Sequence, residues 1–460
     1  MTDTLPDFLK QGERARLIPI TADSNKEART LSVLMSMASA IPDLAHALFA
    51  PVGQRIGKRA RIEVYTEVVP KNNPANVKDR PDGLVVIRTG KRYWSAFIEA
   101  KIGNAELKGE QVERYLELAK ANGVDAVITI SNDFTARIDH HPVPVSKKLT
   151  KKVGLYHWPW MWVFTQAVLL QMEQAVEDIE QAFLVDELVR FLSDPSTGIK
   201  SFDRMGTSWK DVVKAVQTGG TLKKTDPKVE ETVASWHEEE RDLCLILSRQ
   251  LGERVRLKLP YKHRGAPTDR LKDECATLAE TGKLTSSIRV PNAAADLEIA
   301  ADLATRTVTV SMELNAPEDR KSTKARVNWL LRQISKADDP DVIIRTKWPS
   351  KVPDVTAGLE AVRANPEVLQ AENSKLVPRA LEVALVRDIA GKFAGSRTFI
   401  EHVEEIVPTF YAQVGQHLRA WQPAPPKPPK QTEDSGAEIS DADNDGDANE
   451  GARHDAGAES

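Results

Sequence analysis

Residues 81–115, PDGLVVIRTGKRYWSAFIEAKIGNAELKGEQVERY, constrain the fold more tightly than any other part of the chain. The apolar run at 84–87 suits a central strand buried on both faces. Thr89-Gly90-Lys91 reads as a turn and residues 92–102 as the returning strand. Residues 105–121 then place Leu107, Val112, Tyr115, Leu116 and Ala119 at amphipathic-helix spacing. Charge gathers at the open end of this hairpin. Asp82 stands at the mouth of the first strand. Glu99 and Lys101 are two apart near the end of the second, so they share one face.

The flanking sequence extends the pattern. A helix is expected over 25–40, with Ser24 and Glu27 at capping-box spacing. Strands are expected over 61–69, 126–130 and 153–158, the last followed by a long helical stretch to about residue 192. The order α-β-β-β-α-β-β-α describes a mixed-sheet α/β module occupying residues 1–195. A linker is expected over 196–225. Residues 226–350 read as a second α/β module that is either a degenerate copy of the first or alike by chance, since hairpins of this length are common: Asp82 precedes Glu99 by 17 positions, and Asp296 precedes Glu313 by the same 17. Glu313-Leu314-Asn315 lacks the lysine, so the copy's chemistry is damaged. Residues 351–421 look helical. The chain then turns to PAPPKPPK and an acidic Gly/Ala/Ser-rich tail, and 422–460 are expected to be disordered.

Bulk properties exclude several classes. Cys244 and Cys275 cannot form a disulfide framework, and neither belongs to a CxxC pair, so a reducing cytoplasm fits and structural zinc does not. The N-terminus is polar, without the apolar region of a signal peptide. The richest apolar stretch, 158–172, is interrupted by Pro159, Thr165, Gln166 and Gln171 and reads as a buried helix rather than a membrane span. The net charge of −4 conceals an asymmetry: residues 431–460 carry −9, which leaves +5 on residues 1–430. A mildly basic body permits nucleic-acid binding, and the acidic tail can mimic DNA and screen a basic groove. Asp441, Asp443, Asp445 and Gly446 imitate an EF-hand loop, but its twelfth position is Ala452, so calcium is not expected. There is neither a Walker A loop nor a GxSxG elbow, so any motor must come from a separate partner.

The hairpin residues suggest a specific chemistry. Strand pairing brings the Asp82 carboxylate close to that of Glu99, and two carboxylates at short range repel unless a cation lies between them. Hard oxygen ligands favour Mg²⁺ or Mn²⁺. Such an ion lowers the pKa of a bound water and stabilises charge on a phosphate. Lys101 would hold the attacking water or neutralise the pentacovalent oxygens. Gln111 and Tyr115, at i and i+4, share a helix face and would support the site. The competing reading is that Glu99 and Lys101 are solvated strand residues; against it, their apolar flank puts them at a core strand's end, where unpartnered charge is costly.

This layout resembles the PD-(D/E)XK nuclease superfamily, with its restriction-endonuclease-like αβββαβ core, over residues 20–175. Pro81-Asp82 matches the PD motif, Glu99-Ala100-Lys101 the ExK motif, and Gln111 through Tyr115 the QxxxY motif of the RecB-type branch. The resemblance implies a Mg²⁺-dependent nuclease acting on DNA. Asp82 and Glu99 would be metal ligands and Lys101 would act in the reaction. Some members add a ligand from the first helix, here Glu27, although capping is the preferred role for that residue. A homodimer or a separate specificity partner is compatible with this reading.

Other candidates have plain explanations. Asp139-His140-His141 is a polar loop before Pro142. Trp158, Trp160 and Trp162 read as core packing. Glu63 and Glu67 suit a solvated strand face. Lys147, Lys148, Lys151 and Lys152 form a basic cluster that either grips phosphates or is simply solvated. The rival for the whole chain is a catalytically inactive platform that binds nucleic acid or protein without turnover.

Overall fold

The computed structural model describes residues 5–18, 25–57, 59–73, 80–135, 138–349, 352–372 and 376–422. Ser24 of the expected capping box and the tail from residue 423, with its EF-hand-like loop, lie outside these residues.

The first sheet follows chain order: β1 (Leu9–Arg14), β2 (Ala60–Pro70), β3 (Gly83–Thr89), β4 (Arg92–Ala100), β5 (Ala126–Ser131) and β6 (Gly154–Pro159). β1 to β4 are antiparallel, and β5 and β6 continue parallel to β4. The change of sense requires a crossover, which α3 (Gly109–Asn122) provides. The β3–β4 turn is made by Gly90 and Lys91, with Gly90 at φ 62°, a region glycine enters without a Cβ penalty. Before β2 come α1 (Lys26–Ala40) and α2 (Pro42–Phe49). α4 (Lys147–Thr150) precedes β6, and α5 (Trp160–Met172) and α6 (Ile179–Ser193) follow it, so the expected long helix is two.

Strand alternation divides the core. Val85, Ile98, Ala100 and Ile130 face α1, α2 and α5, where Trp158, Trp160 and Trp162 are buried as expected. Leu84, Val86, Phe97 and Val127 face α3, against Val112, Tyr115 and Leu116. β1 is an addition to the expected elements; its burial pattern is too irregular for sequence periodicity to reveal.

The second sheet has the order β12-β11-β13-β10-β9-β8-β7. Its strands are β7 (Arg256–Leu257), β8 (Lys283–Arg289), β9 (Leu297–Asp302), β10 (Thr307–Asn315), β11 (Val342–Lys347), β12 (Val355–Gly358) and β13 (Ala380–Asp388). Its helices are α7 (Trp209–Gln217), α8 (Pro227–Leu251), α9 (Pro267–Thr281), α10 (Thr323–Gln333), α11 (Leu359–Ala364), α12 (Ala390–Phe393) and α13 (Ser396–Gln413). Met1–Trp421 cluster as one compact unit.

Two expectations are corrected by these elements. Residues 351–421 are not a helical region: they supply β12 and β13, and β13 is a central strand between β10 and β11. ALEVALVRD is rich in helix formers, but six successive buried positions between two strands override propensity. The expected linker at 196–225 contains α7, whose buried Trp209 stacks on Phe399 at 4.5 Å and donates to the Phe393 carbonyl at 2.9 Å.

The second module repeats the element order α9-β8-β9-β10-α10-β11. In the first sheet Gly83 pairs with Ile98, so one further step of register sets Asp82 opposite Glu99. In the second Glu298 pairs with Ser311, and two further steps of register set Asp296 opposite Glu313. The sheets differ after the helix. β5 pairs directly with β4, whereas β13 separates β11 from β10. Asp296 is ion-paired to Lys258 at 2.5 Å and Arg289 at 2.8 Å, and Glu313 is exposed.

Candidate active site

Three elements converge at the end of β4 where the sheet changes from antiparallel to parallel. Asp82, just before β3, accepts the Ala100 amide through Oδ2 at 2.8 Å. Glu99 lies on the α3 face of β4 and is 1% exposed. Its Oε1 accepts from Lys101 Nζ at 2.6 Å and from Gln111 Nε2 at 2.9 Å. Gln111 Nε2 also donates to Tyr115 Oη at 3.0 Å, and that hydroxyl donates to the Arg80 carbonyl at 3.0 Å. The i, i+4 pair therefore joins Glu99 to the segment leading into Asp82.

Lys101 is held by its backbone as well as its side chain. Its amide donates to the Ile130 carbonyl at 2.7 Å, and its own carbonyl accepts the Trp160 indole N–H at 2.9 Å. Trp160 is thus more than packing, a role no local sequence signal marks.

The capping role expected for Glu27 is corrected. Asn25 is the N-cap of α1, accepting the Ala28 amide at 3.2 Å. Glu27 instead reaches the sheet: Oε1 accepts the Ile102 amide at 3.3 Å, and Oε2 lies 3.6 Å from Lys101 Nζ. Asp82, Glu99, Lys101, Gln111, Tyr115 and Glu27 are all brought together.

The electrostatics follow from burial. Desolvation first, then the negative charge of Glu99, pushes the Asp82 carboxyl up to about 8. Burial likewise raises Glu99. Burial alone would lower Lys101, but the Glu99 carboxylate more than offsets it and the ammonium is held protonated. Burial and the adjacent Glu99 charge raise the Tyr115 hydroxyl, so it stays a neutral donor. Glu99 Oε2 is buried with no hydrogen-bond partner.

That orphaned oxygen, beside a second carboxylate whose ionisation is suppressed, is a donor set suited to a hard divalent cation. Among the described residues no set of three or more His, Cys, Asp or Glu side chains is arranged to hold a metal ion. The positive charge set between Glu99 and Glu27 is the Lys101 ammonium.

The remaining candidates serve the structure. His141 Nε2 lies 2.9 Å from Thr129 Oγ1, and His157 Nδ1 lies 2.8 Å from the same oxygen. Thr129 pairs with Glu99 across β4 and β5, so these rings buttress the strand that carries the site. Glu63 pairs with Arg88 at 3.4 Å, and Glu67 is exposed. Cys244 and Cys275 are free and buried. Among the described residues no single helix is long and apolar enough to cross a membrane.

No protein-family model matches the chain, and a search of curated proteins finds no significant relative.

Proposed function

We propose that this chain is a metal-dependent nuclease that hydrolyses DNA phosphodiester bonds, built on a restriction-endonuclease-like core. The observation that carries the reading is the pairing of Asp82 with Glu99 beside Lys101, with Glu99 Oε2 buried and unpartnered. The element order α1-β2-β3-β4-α3-β5-β6, with antiparallel strands giving way to parallel ones at β4, supports it.

Asp82 and Glu99 would hold Mg²⁺ or Mn²⁺, with Glu27 close by through Lys101. When bound, such an ion supplies charge stabilisation at the phosphate and makes water a stronger nucleophile. The chain's own groups do the rest. Lys101, kept protonated, donates to the non-bridging oxygens as the water oxygen bonds to phosphorus and the bridging P–O bond breaks. The water's proton ends on the solvent side and the leaving oxygen takes one up. Gln111 fixes the rotamer of Glu99, and Tyr115 fixes Gln111.

The second reading, a non-catalytic platform, is favoured by one observation: Lys101 already neutralises Glu99, closing the cluster as an ion-pair network. Purified protein incubated with supercoiled plasmid and linear DNA in Mg²⁺, Mn²⁺ or EDTA separates the two. Metal-dependent cutting that disappears in Lys101→Ala and Asp82→Ala is expected. Cutting by either variant at the wild-type rate would remove the active-site assignment. Binding without cutting would support the platform.

A further inference from the structure

We infer that Lys147, Lys148, Lys151 and Lys152 form a phosphate-gripping ridge, seated against α3 of the first sheet, that holds the backbone of duplex DNA. This rests on the proposed nuclease reading and assigns its substrate-binding surface.

The four side chains are exposed. They lie at i, i+1, i+4 and i+5 on α4 and the turn after it, so they form two adjacent rows on one side. Leu149, at i+2, falls outside both rows and is partly buried against the core under α3. The ridge is anchored rather than loose. Ser146, just before α4, donates its amide to Glu113 Oε1 on α3 at 2.7 Å. The Pro144 carbonyl approaches Gly109, the first residue of α3, so closely that a Cβ there would lie 2.7 Å from it. Glu113 lies between Gln111 and Tyr115 in sequence, so the helix that positions Glu99 also positions the lysines. Lys108, directly before α3, adds a fifth exposed ammonium.

Charge balance separates this surface from the other cationic face. Around β7, Arg254, Arg256, Lys258 and Arg289 line a cleft of about 720 Å³, but Asp296 takes up both Lys258 and Arg289 and Glu253 adds a further negative charge. None of the four ridge lysines forms an ion pair among the described residues. Four ammonium groups outside any ion pair among the described residues would release counterions from a polyanionic backbone, and that release drives binding.

The test is fluorescence anisotropy of full-length protein with a labelled duplex of about 30 base pairs in EDTA, over roughly 50–300 mM KCl. The quadruple variant Lys147→Gln, Lys148→Gln, Lys151→Gln, Lys152→Gln is compared with Lys210→Gln, Lys214→Gln, Lys223→Gln, Lys224→Gln, which removes equal charge from exposed positions in the second module. Each phosphate that is no longer neutralised lowers the slope of log K against log salt by about 0.9, so a ridge engaging at least two phosphates shortens it by about 2. Affinity near 0.1 M salt then falls by about 50-fold, while the control changes by less than about 3-fold. Equal behaviour of the two variants overturns the inference. Thermal melts verify folding, and the pair Lys147→Gln, Lys151→Gln serves if the quadruple variant does not fold. Plasmid cutting in Mg²⁺, run in parallel, separates the two claims. A wild type that cuts while the ridge variant binds normally sinks the ridge alone. A ridge-dependent binder that never cuts sinks the nuclease and keeps the ridge. A wild type that neither binds nor cuts overturns both.

Discussion

Asp82 and Glu99 face each other across the open end of the β3–β4 hairpin, one register step beyond the Gly83–Ile98 pair. One carboxylate is tied to the Ala100 amide and the other to Lys101 and Gln111. Burial raises both carboxyls, and the charge of Glu99 adds to the rise at Asp82, an environment that favours an added positive charge.

Metal binding should therefore depend on Asp82. Isothermal titration calorimetry with Mn²⁺ is expected to show binding to the wild type and none to Asp82→Asn. Mn²⁺ at about 100 times its dissociation constant should stabilise the wild type by about 2.7 kcal/mol and leave the variant unchanged. An equal rise in melting temperature for both proteins would place the ion elsewhere.

The same pair sets a pH dependence in EDTA. Asp82 keeps its proton up to about 8 when folded, against 3.8 when unfolded. Between these values the folded state binds more protons, so stability falls as pH rises through the window and levels off above it. The loss should be roughly 2 kcal/mol or more, and Asp82→Asn should flatten the curve. Urea melts from about pH 4 to pH 9 measure both.

Gln111 and Tyr115 act through Glu99. Tyr115→Phe removes the hydroxyl between Gln111 and the Arg80 carbonyl, and Gln111→Ala frees Glu99 Oε1 from one donor. Each should cut metal-dependent turnover by about 10–100-fold. Unchanged single-turnover rates would show that Glu99 is held by Lys101 alone.

Glu239 on α8 offers a stability test away from the site. It is 0% exposed, and neither carboxylate oxygen has a partner. Burial, then Glu404, Asp242 and Glu240, raises its pKa well above the usual value; burial also lifts Glu404 to about 7 and Asp242 to about 6. Glu239 keeps its proton when folded and ionises when unfolded, so it costs stability as pH rises. Glu239→Met should add about 1–3 kcal/mol at pH 8 and less at pH 5. Equal gains at both pH values would contradict this account.

The position of β13 also has an energetic consequence. Leu381 is fully buried and pairs with Leu314 and Thr346 in the middle of the second sheet. Leu381→Ala should destabilise the protein by about 2–4 kcal/mol in chemical denaturation. A loss under about 1 kcal/mol would mean the strand is peripheral.

Period-two patterning, the Gly90 turn and the spacing of Leu107 to Ala119 sufficed to place β3, β4 and α3 and to put Asp82, Glu99, Lys101, Gln111 and Tyr115 in one neighbourhood. These are local relationships, carried by strand alternation and helical periodicity within 35 residues. Distant contacts were not legible. Glu27 reaches the Ile102 amide across 75 positions, and Trp160 reaches the Lys101 carbonyl across 59. Their partners come together only when α1 and α5 pack on one face of the sheet. Residues 380–388 have a composition that serves a helix or a strand equally; the unsatisfied edges of β10 and β11 on either side, which need hydrogen-bond partners, make them a strand. The hairpin, the crossover helix and the charges at their meeting point depend on near neighbours and are legible along the chain. Which remote residues complete the site, and which strand fills the second sheet, follow from burial and backbone pairing, which are properties of the assembled chain.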